Sequence, residues 1–316
     1  MIRAAHRIHR ESRGPRRVWV VISGFSILGF VLFFLFLPKS SVSDRFNVLV
    51  ASDPVTVWSW SKSDGSFTVV SVPSDTVIDS VHGHGNYSLS SLWKLGFIDR
   101  EGGSLLTQSL SDALGVPIDA FVGETKNELT PIKNAITTGR RLFSIMHLPA
   151  FILGHYQTNM SATSFIPLAL SLGGVRSDAV SFVDLGSKSI STVQIEPDGT
   201  KQHIVDVTNL DLATKGLFED EKIRKEGISV TVYNTTNVPS LGNRAARLLT
   251  NIGVLVISVG NDEPAVNDCK LSGSQQALMS YTARVVTEMF HCRALPSPND
   301  QTDLTLRLGN QYAKKL

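Results

Sequence analysis

The chain has 316 residues, 42% of them hydrophobic, and 30 Lys and Arg against 28 Asp and Glu give a net charge of +2. The charge is unevenly placed: residues 1–17 hold six Arg against one Glu, and the remaining 24 basic and 27 acidic residues leave −3 for the rest. A body of that sign is not a basic surface for nucleic acid, and a single long apolar run excludes a multi-pass transporter.

That run extends from Val18 to Leu37, VWVVISGFSILGFVLFFLFL, without a charged residue. A helix rising about 1.5 Å per residue needs about 20 apolar residues to cross a hydrocarbon core of about 30 Å. Its backbone polar groups then all pair internally, as lipid demands. The Arg-rich tail predicts a cytoplasmic N-terminus and a body beyond the membrane, and it also suits anionic headgroups. A cleaved signal peptide is the competing reading. Its apolar region is normally about 7–15 residues, followed by a small-x-small cleavage site. Here the run is longer and exits through Leu37-Pro38-Lys39, which favours an uncleaved single-pass anchor held in membrane lipid. The predicted order is a tail (1–17), an anchor (18–37), a spacer (38–45) and an extracytoplasmic body.

In the body, 46–51 (FNVLVA), 55–60 and 67–72 (FTVVSV) read as strands, with Ser63-Asp64-Gly65 as a turn between the last two. Together they predict a β-meander. Trp58 and Trp60, two apart on one strand face, fit a core or a platform for sugar rings, with core the simpler reading. His82-Gly83-His84 reads as a solvated loop rather than a metal site. A helix is predicted over 104–114, where apolar residues recur at helical spacing and Gly115 stops it. An extended segment follows to Phe121. Helical stretches are expected near 130–140, 142–153 and 162–172, then a strand over 180–185. A hairpin of 190–195 with 201–207 turns at Pro197-Asp198-Gly199. This first domain spans 46–210, and 211–227 reads as a linker or short helix.

The C-terminal unit, 228–313, is predicted as strand 228–233, helix 243–251, strands 254–259 and 269–271, helix 274–290 and strand 303–308. That β-α-β-β-α-β order is a small split sandwich, so the fold class is α+β with a mixed sheet in the first domain. Cys269 and Cys292 are the only cysteines. Placed in an oxidising compartment they predict a disulfide; the alternative is two small buried thiols. They flank the second helix, whose ends approach each other when strand and helix pack antiparallel, which favours the disulfide.

Two stretches of the C-terminal unit, VTVYNTTNVPSLGNRAARLLTNIGVLVISVGN from Val230 and DLTLRLGNQY from Asp303, resemble the LytR C-terminal domain of bacterial envelope proteins. The first domain resembles a diverged LytR–CpsA–Psr domain: FNVLVASD ends at Asp53, FTVVSVPSDT contains Asp75, and Gly102-Gly103 precedes a helix and GVPIDAFV. The resemblance implies a bacterial cell-membrane location and, for members with intact motifs, transfer of a glycopolymer phosphate from a polyprenyl-pyrophosphate carrier to the cell wall. That chemistry uses arginines over the pyrophosphate and carboxylates holding Mg²⁺. Here Pro73-Ser74-Asp75-Thr76 carries a serine where the family has an arginine, and 55–62 (VTVWSWSK) lacks the family's Arg–Asp loop. Asp53 and Asp75 survive as candidate catalytic or metal-binding residues. The expectation is a non-catalytic envelope protein that binds or scaffolds wall or surface glycopolymer, or an envelope protein. The alternative is a diverged transferase, and only that alternative implies Mg²⁺.

Overall fold

The structure is a computed structural model describing residues 42–187, 191–195, 199, 201–205, 207–297 and 302–314. The predicted tail and anchor lie outside these residues, as do Pro197 and Asp198 of the predicted turn. No helix among the described residues is long and apolar enough to cross a membrane. The described residues form one compact unit.

Strands that are apolar on both faces need cover on both faces, and this requirement arranges the first domain. Strands β1 (Arg45–Asp53), β2 (Val55–Ser61) and β3 (Phe67–Val72) form the antiparallel meander read from the sequence. Next come β4 (Thr76–Ser80) and β5 (Gly85–Ser88), α1 (Leu89–Ile98) and α2 (Ser104–Leu114). After Gly115, left-handed at φ 64°, the chain continues through β6 (Ala120–Glu124), β7 (Thr130–Pro131), α3 (Ala135–Leu142), α4 (Leu148–Ile152), β8 (Tyr156–Thr158) and α5 (Ala162–Gly174). Strand β9 (Val180–Asp184) and the hairpin of β10 (Ser191–Ile195) and β11 (Lys201–Val205) follow. The central sheet runs β8-β6-β1-β2-β3-β9, with β7 paired to the end of β1. One face, with Leu49, Val57 and Val70, packs Trp93 of α1 and Leu105, Leu106 and Leu110 of α2. The opposite face, with Val48, Trp58, Trp60 and Val69, packs Phe143, Phe165 and Leu168 from the side of α3 and α5. Both tryptophans are therefore core.

Strands β4, β5, β7 and β8 were not expected from the sequence. The β4–β5 pair is half exposed, and its partner β11 is more than a hundred residues away, so local pattern says little about it. Strands β7 and β8 have two and three residues, too short for any alternation to register.

The connection at 211–227 takes the short-helix form, with α6 (Val207–Thr214) preceding α7 (Glu221–Glu226). Leu210 and Phe218 belong to the first core, and Ile223 to the C-terminal core. The C-terminal unit then reads β12 (Ser229–Asn234), α8 (Leu241–Asn251), β13 (Leu255–Asn261), β14 (Lys270–Gly273), α9 (Gln275–Leu278), α10 (Tyr281–Phe290), β15 (Arg293–Pro296), β16 (Leu304–Leu308) and α11 (Asn310–Ala313). This corrects the predicted β-α-β-β-α-β order in three places, the last being the short helix α11 after the final strand. The helix expected over 274–290 is two helices, because Ser280 caps α10 by accepting from the Ala283 amide. An extra strand, β15, forms the outer edge beside β14; its four exposed residues ending in Pro carry no buried pattern.

Cys269 and Cys292 are joined across 23 residues, immediately before β14 and β15. In the chain-entropy model a closed loop of this size stabilises the fold by about 3 kcal/mol. The double variant Cys269→Ser, Cys292→Ser is expected to lose about that much in urea unfolding. An unchanged midpoint would mean that packing alone closes this loop.

Candidate functional site

The sequence candidates meet at one edge of the central sheet. Asp53 ends β1, Asp184 ends the parallel β9, and Ser74 and Asp75 lie in the turn after β3. Strand ends are where an open sheet leaves a crevice, and here a cleft of about 710 Å³ is lined by Asp53, Ser74, Asp75, Lys133, Asn134 and Asp184, among others. The structure thus brings Asp53 and Asp75 together.

Each carboxylate already has a partner from the protein. The Ser74 hydroxyl donates to Asp53 Oδ1 at 2.7 Å. Asp75 Oδ1 lies 2.9 Å from His203 Nδ1 on β11, and Asp184 Oδ1 accepts from the Gly186 amide at 3.0 Å. Asn134 turns its side-chain oxygen to the Thr137 amide, capping α3. Lys133 is the one Lys or Arg among the lining residues. Arg140 reaches away from the cleft, donating to the Val175 carbonyl at 2.6 Å.

Carboxylate oxygens suit Mg²⁺ by type. The three in this cleft do not fit a resident ion: among the described residues no group of three His, Cys, Asp or Glu is close enough to hold one, and each carboxylate is engaged as above. What the arrangement offers is an acidic, hydrogen-bonding cleft with one ammonium. Sequence reading missed His203, Asp184 and Lys133. Asp184 had a signal, since the strand predicted at 180–185 ends in Asp as the first strand does. The His203–Asp75 pair spans 128 residues and had none.

A helix-flanked mixed sheet followed by a small five-stranded sheet gives the described residues a two-part α+β fold. Residues 227–312 match the family described as LytR cell envelope-related transcriptional attenuator, so the C-terminal unit is a LytR C-terminal domain, as its motifs implied. Solved structures similar to the chain include TagV of B. subtilis, at 12% identity and TM-score 0.40, covering 54% of this chain and 94% of that one. The Lin1025 protein of Listeria innocua has 15% identity, TM-score 0.38 and coverage of 54% and 95%. The LytR-CPS2A-psr family protein YwtF (TagT), solved with bound octaprenyl pyrophosphate lipid, has 12% identity, TM-score 0.38 and coverage of 56% and 90%. No curated protein matches the chain.

Proposed function

We propose that this is a single-pass protein of the bacterial cell membrane, with residues 18–37 as its anchor and its folded body outside. In this reading the body binds or scaffolds wall or surface glycopolymer, or an envelope protein, without transferring it. The location is supported by the charge placement around the apolar run, by the LytR C-terminal domain and by the Cys269–Cys292 disulfide, a bond that persists in oxidising compartments. The absence of transfer is supported by one observation. In the cleft, the residue standing where the family carries an arginine is Ser74, and its hydroxyl is spent on Asp53. Three carboxylates facing a single Lys133 repel a pyrophosphate rather than stabilise its developing charge.

A diverged transferase is the second reading, favoured by the meeting of Asp53 and Asp75 in one cleft. The two separate in an assay of the full chain in detergent with a polyprenyl-pyrophosphate-linked sugar, a wall acceptor and Mg²⁺. The expected result is no transfer product together with retention of the chain on envelope fractions. Turnover that disappears in Asp53→Ala or Asp75→Ala would replace the binding reading with the transferase one.

A further inference from the structure

The helices covering one face of the central sheet come from a stretch, residues 129–177, that contains no Asp or Glu, although the chain beyond its tail carries −3. Its cations are Lys133, Arg140, Arg141 and Arg176. Lys133 lines the cleft already described, and Arg176 is matched at 3.1 Å by Asp178, just beyond the stretch. Arg140 donates to the neutral Val175 carbonyl at 2.6 Å. Arg141 is exposed on α3 and has no ion pair among the described residues. Two positive charges therefore stay uncancelled on this face.

The same stretch exposes five large aliphatic side chains, Ile145, Met146, Ile152, Leu153 and Leu170, each between 44 and 84% accessible. They lie on neighbouring elements. Ile145 and Leu170 line a hollow of about 210 Å³ together with Arg140, and Met146 follows Ile145 in the turn that leads into α4. Helix α4 ends at Ile152 and is held on α5 through Phe151 and Phe165, whose ring centroids are 4.4 Å apart. Single exposed aliphatics are ordinary, but a group of this size beside uncancelled cations marks a docking surface.

The chain enters the first domain at one end of this face. The Lys62 ammonium donates to the Ser43 carbonyl at 2.6 Å, and the Lys62 amide to the Asp44 carbonyl at 2.9 Å, which sets residues 43 and 44 beside the turn between β2 and β3. A Cβ on Gly65 of that turn would stand 3.8 Å from Ser171 Oγ, one residue after Leu170. Residues 38–44, between the proposed anchor and β1, span at most about 28 Å.

We propose that the face formed by α3, α4 and α5 lies on an anionic lipid bilayer, the five aliphatic side chains entering it and Arg140 and Arg141 meeting lipid phosphates. The proposal rests on the anchored reading above for the nearness of the bilayer, and goes beyond it in saying which face of the body meets the lipid. Aliphatic side chains flanked by cations suit the boundary between headgroups and acyl chains, which such surfaces enter by about 5–10 Å. Anionic lipid attracts each nearby cation.

The test uses the full chain reconstituted in vesicles of phosphatidylcholine and phosphatidylglycerol, with a bimane fluorophore on Met146→Cys. Cys269 and Cys292 are joined to each other and do not take the label. Lipid bearing a shallow nitroxide is expected to quench this probe at least about threefold more than one on Ile98→Cys, exposed on α1 across the sheet. Pure phosphatidylcholine, or Arg141→Glu in the mixed vesicles, is expected to remove the excess. Alkaline extraction of a parallel sample reads the anchor by itself: release of the chain would overturn the anchored reading, and this proposal with it. Equal quenching at the two positions in a chain that resists extraction would overturn this proposal alone, as would an excess that survives both pure phosphatidylcholine and Arg141→Glu. A Met146→Cys probe already shielded in detergent, increasingly so with protein concentration, would assign the face to a second copy of the chain instead.

Discussion

Trp58→Ala is expected to destabilise the folded body by about 3–5 kcal/mol, the range for emptying a buried aromatic site. Trp58 is fully buried on the central strand β2, and its ring meets Phe143 edge-on with centroids 5.9 Å apart. The helix above it approaches so closely that a Cβ at Gly139 would overlap the Trp58 ring. This contact lets α3 lie on the sheet, so Gly139→Leu must either displace the helix or push the indole from its site. The indole nitrogen has no hydrogen-bond partner, so Trp58→Phe gives up volume but no hydrogen bond and should cost far less than Trp58→Ala. The check is the denaturant midpoint of all three variants beside their retention on envelope material. A Trp58→Ala chain with unchanged stability but lost retention would make this residue a sugar platform instead of core.

Arg247→Ala is expected to loosen the two folded units from each other at a cost of about 2–3 kcal/mol, given that charge-assisted bonds are worth most when partly buried. From α8 of the C-terminal unit, Arg247 donates to the Asp112 carbonyl at 3.0 Å and the Ala113 carbonyl at 2.9 Å, at the end of α2. It also forks onto Asp211 of α6, its terminal nitrogen at 2.6 Å and Nε at 2.8 Å. One guanidinium thus gives the Ala113 carbonyl a donor at a helix end, adds a second donor to the Asp112 carbonyl, which also accepts from the Gly115 amide, and ties three elements together. Lysine lacks the planar fork, so Arg247→Lys should rescue little. Unfolding followed by protease sensitivity at 206–227 is the measurement. A single transition at an unchanged midpoint would show that the apolar contacts hold the units together alone.

The sequence was informative wherever local pattern coincides with burial. The meander, the helix at Ser104–Leu114 with its Gly115 stop, and the disulfide all come from runs or pairs that one stretch of chain defines. The C-terminal unit was legible because its strands β12 and β16 and its helix α8 bury clear faces. What stayed hidden depends on partners far along the chain. Strand β4 earns its place by pairing with β11, and Asp75 meets His203 only because that pairing exists. In the cleft, Asp53 and Asp75 were visible as strand-end acids. That Ser74 would occupy Asp53 was not, since side-chain direction in a turn follows from how the neighbouring strand ends.

The C-terminal sheet runs β13-β12-β16-β14-β15, with β16 in the middle although it is the last of these strands in the sequence. Its contact with β12 joins residues 74 apart, as in the Ser229–Asp303 bond at its foot. Until residues 304–308 have been delivered, β12 and β14 have no common neighbour, and Leu271, Val230 and Val232 have an open seam where Leu304 and Leu306 belong. Pairings that distant must meet the loop-closure cost before they return any stabilisation. This domain is therefore a keystone arch rather than a growing stack: synthesis lays both flanks first, and they become a domain only when the central stone drops in.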